Sequence, residues 1–543
     1  MAFYSILFPS LEDEARSGNH PWLTERADDK KGEKYTVRGN KIMLAPKVGK
    51  PDAPMRPGLY LDLNLDQVMD NVLCHEADEE LRELFYHFCP DAAMVLYRQE
   101  VMRALEETKT GSAFRTFLQS MAKAGRLLQY GRQAHHPSQR DKYALDGTAV
   151  YCAAIQNLLD QTSTLPIRSQ GLTGFLDAVR AYIKEARFKK LEDHALRAKN
   201  ALERISYSLR VNDGILHVDF EADTADYAQA LYQDFDTNAR WGTEIGERQM
   251  EILPFRQVEL SPLEVMIIKA LMEKHPKVFQ EAHEAAEETS ILPVPFIGRF
   301  VKEIRFYFLY LDLMIMLRGK GHVFTYPEIA VKREVFLEGA YDLALAIGTD
   351  TVVPNDFILS QEEKSAVITG ANQGGKTTYA RSIGQIAVLT ALGLPVPCQR
   401  ACLPLYNAIF SQFTQAEDAT VDNGKLKEEL LRLRPILQGA GKNSMVILNE
   451  LFSSATAQDA LDMAGRTLEL LAEAGAHVVC VTHIDGLRLQ HAVSMVAQIE
   501  KTSGQRMYKI IRAEPDGQAY ANEIACRHHL TATKIKERIA NGI

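Results

Sequence analysis

The chain has 543 residues, of which 46% are hydrophobic and 24% charged, and its formal net charge is −9. This length exceeds what one hydrophobic core supports, so we expect three or more domains. The composition is typical of a soluble globular protein, and the acidic balance argues against a generally basic nucleic-acid coat protein. Seven irregularly spaced cysteines, with no secretory signal at the start, predict a cytoplasmic location.

The first 148 residues divide into two regions. Residues 1–60 contain a polar stretch that predicts a loose arm, to which the sequence assigns no role. Residues 61–148 carry apolar residues at spacings of three and four, which predicts a helical N-terminal region. Between Arg98 and Lys142, nine Lys or Arg stand against four Asp or Glu, and this excess fits either a solvated helix face or a phosphate-contacting one.

Residues 149–320 also have helical periodicity. We expect one long basic amphipathic helix over 176–210, then a hairpin over 211–220 and another long helix over 262–288. The apolar run Ile304–Leu317 is shorter than the roughly 20 residues that cross a bilayer, and it contains Asp312. We therefore expect a buried helix there and no membrane association.

From about residue 321 the pattern changes to short apolar runs alternating with helices, which is typical of an α/β domain with a mainly parallel sheet. Buried strands are predicted at 445–448 and 477–481, with a helix over 458–475 between them. An outer strand is expected near 507–513 and a final helix over 529–540.

A phosphate-binding loop is predicted at residues 370–378, which read Gly-Ala-Asn-Gln-Gly-Gly-Lys-Thr-Thr. A β-branched strand precedes the loop and a helix follows it, so the motif lies in its required context. Lys376 would reach the β- and γ-phosphates, and the Thr377 hydroxyl would ligate Mg²⁺. The nucleotide-binding residues predicted here are Gly370, Asn372, Gly374, Gly375, Lys376, Thr377 and Thr378.

Two further strand ends carry polar residues suited to hydrolysis. Asn449 and Glu450 follow the apolar run 445–448, and a glutamate there can orient the attacking water or accept its proton. His483 follows the next strand and should lie at the same sheet edge. We therefore predict Glu450 and His483 as catalytic residues.

These motifs resemble the ATPase domain of the MutS family of DNA mismatch-repair proteins, whose phosphate loop reads Gly-Pro-Asn-Met-Gly-Gly-Lys-Ser-Thr-Tyr. The resemblance is carried by 370–381, 424–450, 453–459 and 482–483. It implies an ABC-type ATPase domain over 321–543, preceded by a mostly α-helical core, lever and clamp region over 149–320. It also implies ATP and Mg²⁺ as cofactors, DNA as partner, and a homodimer acting in DNA repair or recombination.

The resemblance also assigns roles to individual residues. Thr377, Asn449 and Glu450 would hold the metal, and Gly424 would offer backbone N–H groups to the γ-phosphate bound by the second subunit. Asn449 stands where the family usually has aspartate. Because an amide brings no negative charge, we expect weaker metal binding and slower turnover.

The mismatch-reading N-terminal domain of the family, with its Phe-x-Glu wedge, is not recognisable. Phe279-Gln280-Glu281 fits that pattern but lies within a predicted helix. We therefore expect recognition of DNA structure rather than of mismatches. An alternative is the same ATPase acting on RNA, a ribosome or a protein. A small-molecule kinase is excluded because it leaves Glu450 and His483 without a role.

Overall fold

The structure is a computed structural model, and it divides the chain into two compact units. The helical unit comprises Met1–Phe3 and Ala104–Lys302, and the sheet unit comprises Tyr4–Arg103 and Glu303–Ile543. The sequence-based boundaries at 60, 148 and 320 stay predictions. The structure describes residues 3–18, 25–26, 35–38, 41–44, 56–73, 79–212, 215–220, 260–371, 373–413, 425–484, 487, 490–499, 506–514, 531, 534–536 and 538.

Helices provide most of the described structure outside the C-terminal third. Their bounds are Leu11–Ser17 (α1), Gly58–Asp62 (α2), Leu65–Val72 (α3), Glu79–Glu83 (α4), Ala92–Glu106 (α5), Thr108–Gln133 (α6), Pro137–Thr162 (α7), Gln170–Tyr182 (α8), Ala186–Glu203 (α9), Pro262–Lys274 (α10), Pro276–Glu287 (α11), Pro295–Gly319 (α12), Leu343–Gly348 (α13), Lys376–Ala391 (α14), Lys425–Gly439 (α15) and Ala457–Glu473 (α16). The predicted helix over 529–540 lies largely outside the described residues.

The strands form two larger sheets and three two-stranded ribbons within the described residues. Their bounds are Glu25–Arg26 (β1), Tyr35–Arg38 (β2), Lys41–Leu44 (β3), Arg56–Pro57 (β4), Ser208–Asn212 (β5), Ile215–Asp219 (β6), Glu328–Ile329 (β7), Val335–Ala340 (β8), Asn355–Leu359 (β9), Ser365–Gly370 (β10), Arg400–Leu403 (β11), Ala408–Phe413 (β12), Ser444–Asn449 (β13), His477–Val481 (β14), Ala492–Ile499 (β15) and Arg506–Arg512 (β16).

In the helical unit, α6 and α7 pack side by side, and a glycine permits their close approach. A Cβ atom at Gly147 would stand 2.9 Å from Leu128 Cγ and 3.2 Å from the carbonyl oxygen of Ala124. Phe114 and Phe117 from α6 meet Phe175 and Phe300, and the rings of Phe175 and Phe300 stack at 3.4 Å. The core of this unit is therefore aromatic.

The prediction of one continuous helix over 176–210 is wrong. Helix α8 ends at Tyr182, and α9 begins at Ala186 after Glu185, whose ψ of 139° is extended. The rings of Tyr182 and Phe188 meet at 5.0 Å, and both side chains are buried. Six residues along one helix would turn these side chains about 240° apart, so the break lets both reach the same core.

The long helix expected over 262–288 is also divided. Helix α10 ends at Lys274, and Pro276 opens α11 after His275 has left helical geometry (φ −122°, ψ 51°). Proline disfavours helical geometry in the residue before it, which accounts for the break. The predicted hairpin is confirmed as the antiparallel pair β5–β6.

The main sheet has the strand order β12-β13-β14-β10-β15-β16. All neighbours in it are parallel except β15 and β16. The predicted mixed helix-and-sheet domain with a mainly parallel sheet is thus confirmed, and β16 is the outer strand expected near 507–513. A second sheet has the order β7-β11-β8-β9.

Helix α12 contains the apolar run 304–317 and is largely buried, as predicted, through residues such as Phe306, Tyr310 and Met314. None of the helices in the described part of the chain has the length and apolar character that a membrane span requires.

Helix α14, which follows the phosphate loop, is enclosed within the sheet unit. None of its residues is exposed. A Cβ atom at Gly384 would stand 2.4 Å from Ile447 Cδ1 and 2.7 Å from Leu63 Cδ2. On the side of α2 and α3, Arg381 Nε donates to the carbonyl oxygen of Asp62 at 2.9 Å, and Gln385 Nε2 donates to that of Leu63 at 2.8 Å. The N-terminal segment and β13 therefore fix this helix.

The C-terminal end of α14 is held by a fully buried arginine. Arg98 donates from Nε to the carbonyl oxygen of Leu7 at 3.1 Å, and from Nη1 to those of His87 at 2.8 Å and Leu392 at 2.9 Å. Leu392 caps α14, so the cation also lies at the negative end of the helix dipole.

We predict that Arg98→Ala lowers the free energy of unfolding by about 3 kcal/mol, because it leaves buried carbonyl groups without donors. Arg400→Ala is the control, since the exposed Arg400 side chain makes a 3.8 Å ion pair with Glu338 and lies 5.4 Å from the centre of the Phe336 ring, and its effect should stay within about 1 kcal/mol. Urea denaturation followed by circular dichroism measures both. Equal midpoints for the two variants would contradict the structural role of Arg98.

Candidate nucleotide-binding site

Three adjacent parallel strands bring the predicted site together. Strands β13, β14 and β10 are neighbours, with Asn449 beside Val481 and Val481 beside Ile368. Their carboxyl ends therefore meet at one sheet edge, where parallel sheets place their ligands. Glu450 N donates to the carbonyl oxygen of Val481 at 2.8 Å, which carries the sheet pairing into the loop after β13.

The phosphate loop contains positive φ angles, which glycine adopts readily. Gly370 and Gly375 have φ values of 115° and 88°, and Gln373 between them has φ 59°. A Cβ atom at Gly370 would stand 3.0 Å from the backbone nitrogen of Ala497, and one at Gly374 would stand 3.0 Å from the carbonyl oxygen of Ala371. The loop is therefore a compact cradle that leads directly into α14.

The N-terminus of α14 provides the anion-binding character of the cradle. The helix begins at Lys376 after Gly375, and no side chain caps it. The first amide groups of such a helix point out of its end and, with the helix dipole, favour a bound anion. The cradle and the helix end therefore both fit a phosphate chain.

Lys376 lies inside the cradle. Its Nζ atom donates to the carbonyl oxygens of Gly370 at 2.7 Å and Ala371 at 3.0 Å, and the residue is 5% exposed. Burial lowers the pKa of the ammonium group to about 8, while the negative charge of Glu450 acts in the opposite direction. A bound phosphate would replace these carbonyl contacts and favour the charged form.

Thr377 and Asn449 form the predicted metal-binding pair. Thr377 Oγ1 donates to Asn449 Oδ1 at 3.0 Å. Asn449 is 8% exposed, so its amide is held close to the loop. Hydroxyl, amide and carboxylate oxygens suit Mg²⁺, which is usually held through one or two protein groups together with phosphate oxygens.

Glu450 and His483 contact each other at the same edge. His483 Nε2 and Glu450 Oε1 are 2.8 Å apart, and the two side chains are 42% and 35% exposed. Glu450 has a φ of 58°, which is left-handed backbone that costs a non-glycine residue about 1–3 kcal/mol. This backbone geometry holds the carboxylate beside the loop, in contact with the imidazole.

A cavity of about 480 Å³ opens beside the loop, and sequence reasoning missed it. Its lining includes Gln373, Thr378 and Glu450 from the predicted motifs, together with Leu345 and Tyr508. Tyr508 lies on β16, and Cδ1 of its ring would be 3.5 Å from a Cβ atom at Gly375. The strand prediction near 507–513 was the only sequence signal for it, and it gave no side-chain direction.

The structure thus gathers Lys376, Thr377, Asn449, Glu450 and His483 at one edge, with Thr378 in the cavity wall. The glycines at 370, 374 and 375 form the cradle. Two predicted residues, Asn372 and Gly424, lie outside the described residues.

A phosphate loop between a central parallel strand and a buried helix, with polar residues at the next two strand ends, defines the P-loop nucleotide-binding class. Within this class, the sequence model of MutS domain V matches residues 366–525. The resemblance to the MutS family that the phosphate loop predicted is thus confirmed for this segment.

Individual relatives match part of the chain. The DNA mismatch repair protein MutS of Geobacillus thermodenitrificans (strain NG80-2) is 25% identical over 263 residues, 47% of this chain and 28% of that protein. MutS of Streptococcus pneumoniae (strain Hungary19A-6) is 28% identical over 186 residues, 33% of this chain and 22% of that protein. HexA of Streptococcus pneumoniae serotype 4 gives the same values. The chain spans less than a third of the length of these relatives.

The pKa of Lys376 predicts how nucleotide affinity depends on pH. In the free protein this pKa is about 8, and a bound phosphate raises it, so binding is strongest below pH 8 and weakens as the pH rises above it. Between pH 7 and pH 9 the affinity for Mg-ATP should fall about tenfold. Calorimetry in buffers of different ionisation enthalpy should also detect proton uptake on binding at pH 8.5. Equal affinities at pH 7 and pH 9 would show that Lys376 is not the group involved.

Proposed function

We propose that this protein is an ATPase of the MutS type that binds DNA as a homodimer, with a clamp gated by ATP binding and hydrolysis. The observation that carries the proposal is the meeting of Lys376, the Thr377–Asn449 pair and the Glu450–His483 pair at one sheet edge. Each of these contacts has a distinct use in phosphoryl transfer to water.

ATP and Mg²⁺ fit the residues at this edge. The glycine cradle and the N-terminus of α14 would hold the phosphates, and Lys376 would exchange its two carbonyl contacts for phosphate oxygens. Thr377 and Asn449 would hold the metal, with Glu450 beside them. When bound, Mg²⁺ neutralises charge on the phosphates.

Glu450 is the residue that would act on water. Its carboxylate orients a water molecule and accepts its proton, while His483, at 2.8 Å, keeps the carboxylate in place. Asn449 supplies no negative charge, so we expect turnover to be slower than an aspartate would give.

The nucleoside would occupy the cavity beside the loop. Its volume of about 480 Å³ is within the range of small-molecule sites, and Tyr508 offers an aromatic face next to Gly375. Stacking on this ring would orient the base without selecting it by hydrogen bonds.

The proposal also includes a dimer and a domain organisation for each subunit. Gly424 of each subunit would face the γ-phosphate of the other, giving two composite sites. Residues 321–543 would be the ATPase domain, 149–320 the core, lever and clamp region, and 61–148 a helical N-terminal region beyond an arm over 1–60. DNA is the proposed partner because the relatives are named as DNA mismatch repair proteins.

We predict that Glu450→Gln binds ATP within a few-fold of the parent affinity but hydrolyses it at least about a hundredfold more slowly. His483→Ala should reduce turnover less, because it loosens Glu450 without removing the carboxylate. Asn449→Asp should strengthen the dependence on Mg²⁺. Single-turnover hydrolysis and nucleotide binding measure these effects.

Glu469→Gln on α16 is the matched control, since Glu469 makes only an exposed 3.5 Å contact with Arg466. Parental turnover in Glu450→Gln would refute the role of the carboxylate. Loss of ATP binding in that variant would instead assign Glu450 a role in nucleotide binding rather than in catalysis.

DNA structure, rather than mismatches, should govern affinity. Reading a mismatch requires an apolar wedge between bases, at a cost of a few kcal/mol for unstacking. The Phe-x-Glu matches that begin at Phe279 and Phe336 lie within α11 and β8. Band-shift titrations should show a four-way junction bound best, and a mismatched duplex bound no better than a matched one. A mismatch preference of tenfold, about 1.4 kcal/mol, would contradict this prediction.

The alternative partner is tested in the same titrations. If the MutS-type ATPase acts on RNA, a ribosome or a protein, neither duplex nor junction DNA will bind with a steep dependence on salt.

A further inference from the structure

The charged residues of helix α6 are all basic. Between Thr108 and Gln133 it contains five Lys or Arg residues and no Asp or Glu. The run without acidic residues continues to Arg140, and the next residue, Asp141, is bonded to His283 Nδ1 at 3.1 Å. Two acidic residues, Glu106 and Glu107, precede the helix. The positive charge of α6 is thus not balanced along its own length.

Four of these cations are exposed: Lys109, Lys123, Arg126 and Arg132. None of the four makes an ion pair or a side-chain hydrogen bond with another group in the part of the chain that the structure describes. Lys109, Lys123 and Arg126 lie within about 100° of one another around the helix and form one face, whereas Arg132 lies on the opposite side from Lys123. Isolated like charges on one face repel one another, so this face gains when an anion approaches.

Three cations of α8 and α9 differ, because acidic partners hold them. Arg180 contacts Asp177, Lys190 contacts Glu288 and Arg197 contacts Asp193, each at 2.7 Å. A phosphate would have to compete with these carboxylates. Arg187 and Lys189 of α9 are exposed and make no ion pair among the described residues, but they lie on opposite sides of that helix. Helix α6 therefore presents an open positive face that α9 lacks.

The remaining exposed residues of α6 indicate the kind of anion. Ser112, Thr116 and Gln119 lie between the cations and are exposed, and such side chains commonly contact phosphates and sugars. Phe114 and Phe117 are buried, and Tyr130 is partly buried against Tyr143. The face therefore has no exposed aromatic ring on which unpaired bases could stack, as single-strand binding requires.

The length of the face fits a duplex. From Lys109 to Arg126 the helix rises about 26 Å, which is about three quarters of a turn of B-form DNA. We infer that the face of α6 formed by Lys109, Lys123 and Arg126 binds the phosphate backbone of double-stranded DNA. This inference rests on the proposed DNA-binding function and assigns the contact to α6 rather than to α9.

The test compares two triple variants of the full-length chain. Lys109→Gln/Lys123→Gln/Arg126→Gln removes three charges from the α6 face. Arg180→Gln/Lys190→Gln/Arg197→Gln removes three charges that are already paired. Affinity for a 30-base-pair duplex is measured by fluorescence anisotropy as the salt concentration is varied, and ATP binding is measured without DNA.

The α6 variant should lose about tenfold or more in duplex affinity, and its slope of log affinity against log salt should become shallower by about 1 for each lost contact. The paired-charge variant should keep the parental slope within about 1. Both should bind ATP like the parent, which shows that each has folded.

Three results would overturn the inference. A parental slope in the α6 variant would assign the DNA contact elsewhere while leaving the proposed function intact. Equal losses of duplex affinity in both variants would show that affinity depends on the net charge of the protein and not on the α6 face. A parent that does not bind duplex DNA, or binds duplex RNA instead, would overturn the inference together with the proposed partner.

Discussion

Enclosure of α14 is the constraint on which the candidate nucleotide site depends. The helix packs between β13 and the segment formed by α2 and α3, and Gly384 is the point where a larger residue could not fit. Arg98 holds its far end through the carbonyl oxygen of Leu392. Because the helix cannot shift, the phosphate loop at its N-terminus keeps one position relative to the ends of β13 and β14.

Two residues at this edge have properties that are unfavourable for stability. Burial lowers the pKa of Lys376 and leaves its ammonium group bonded to carbonyl oxygens of its own loop. Glu450 has a strained backbone. A protein selected for stability alone would favour an uncharged side chain and a glycine at these positions. Their presence at one edge therefore favours a functional explanation.

Local signals in the sequence predicted the parts of the site that one segment encodes. The loop spacing identified Lys376 and Thr377, and the apolar runs before Asn449 and His483 placed both residues at strand ends. Tyr508 was missed because only the folded sheet brings β16 against Gly375. Arg98 was counted with the surface charges, since its burial depends on carbonyl groups from distant segments. Likewise, periodicity over 176–210 could not reveal the break that Tyr182 and Phe188 require to share a core.

Calorimetric titration of the protein and of Lys376→Ala with Mg-ATP tests the central claim most directly. The account predicts saturable binding to the parent and loss of that binding in the variant, with circular dichroism unchanged, because Lys376 supplies the buried cation of the cradle. Parental affinity in a folded Lys376→Ala variant would contradict the assignment of this edge as the nucleotide site.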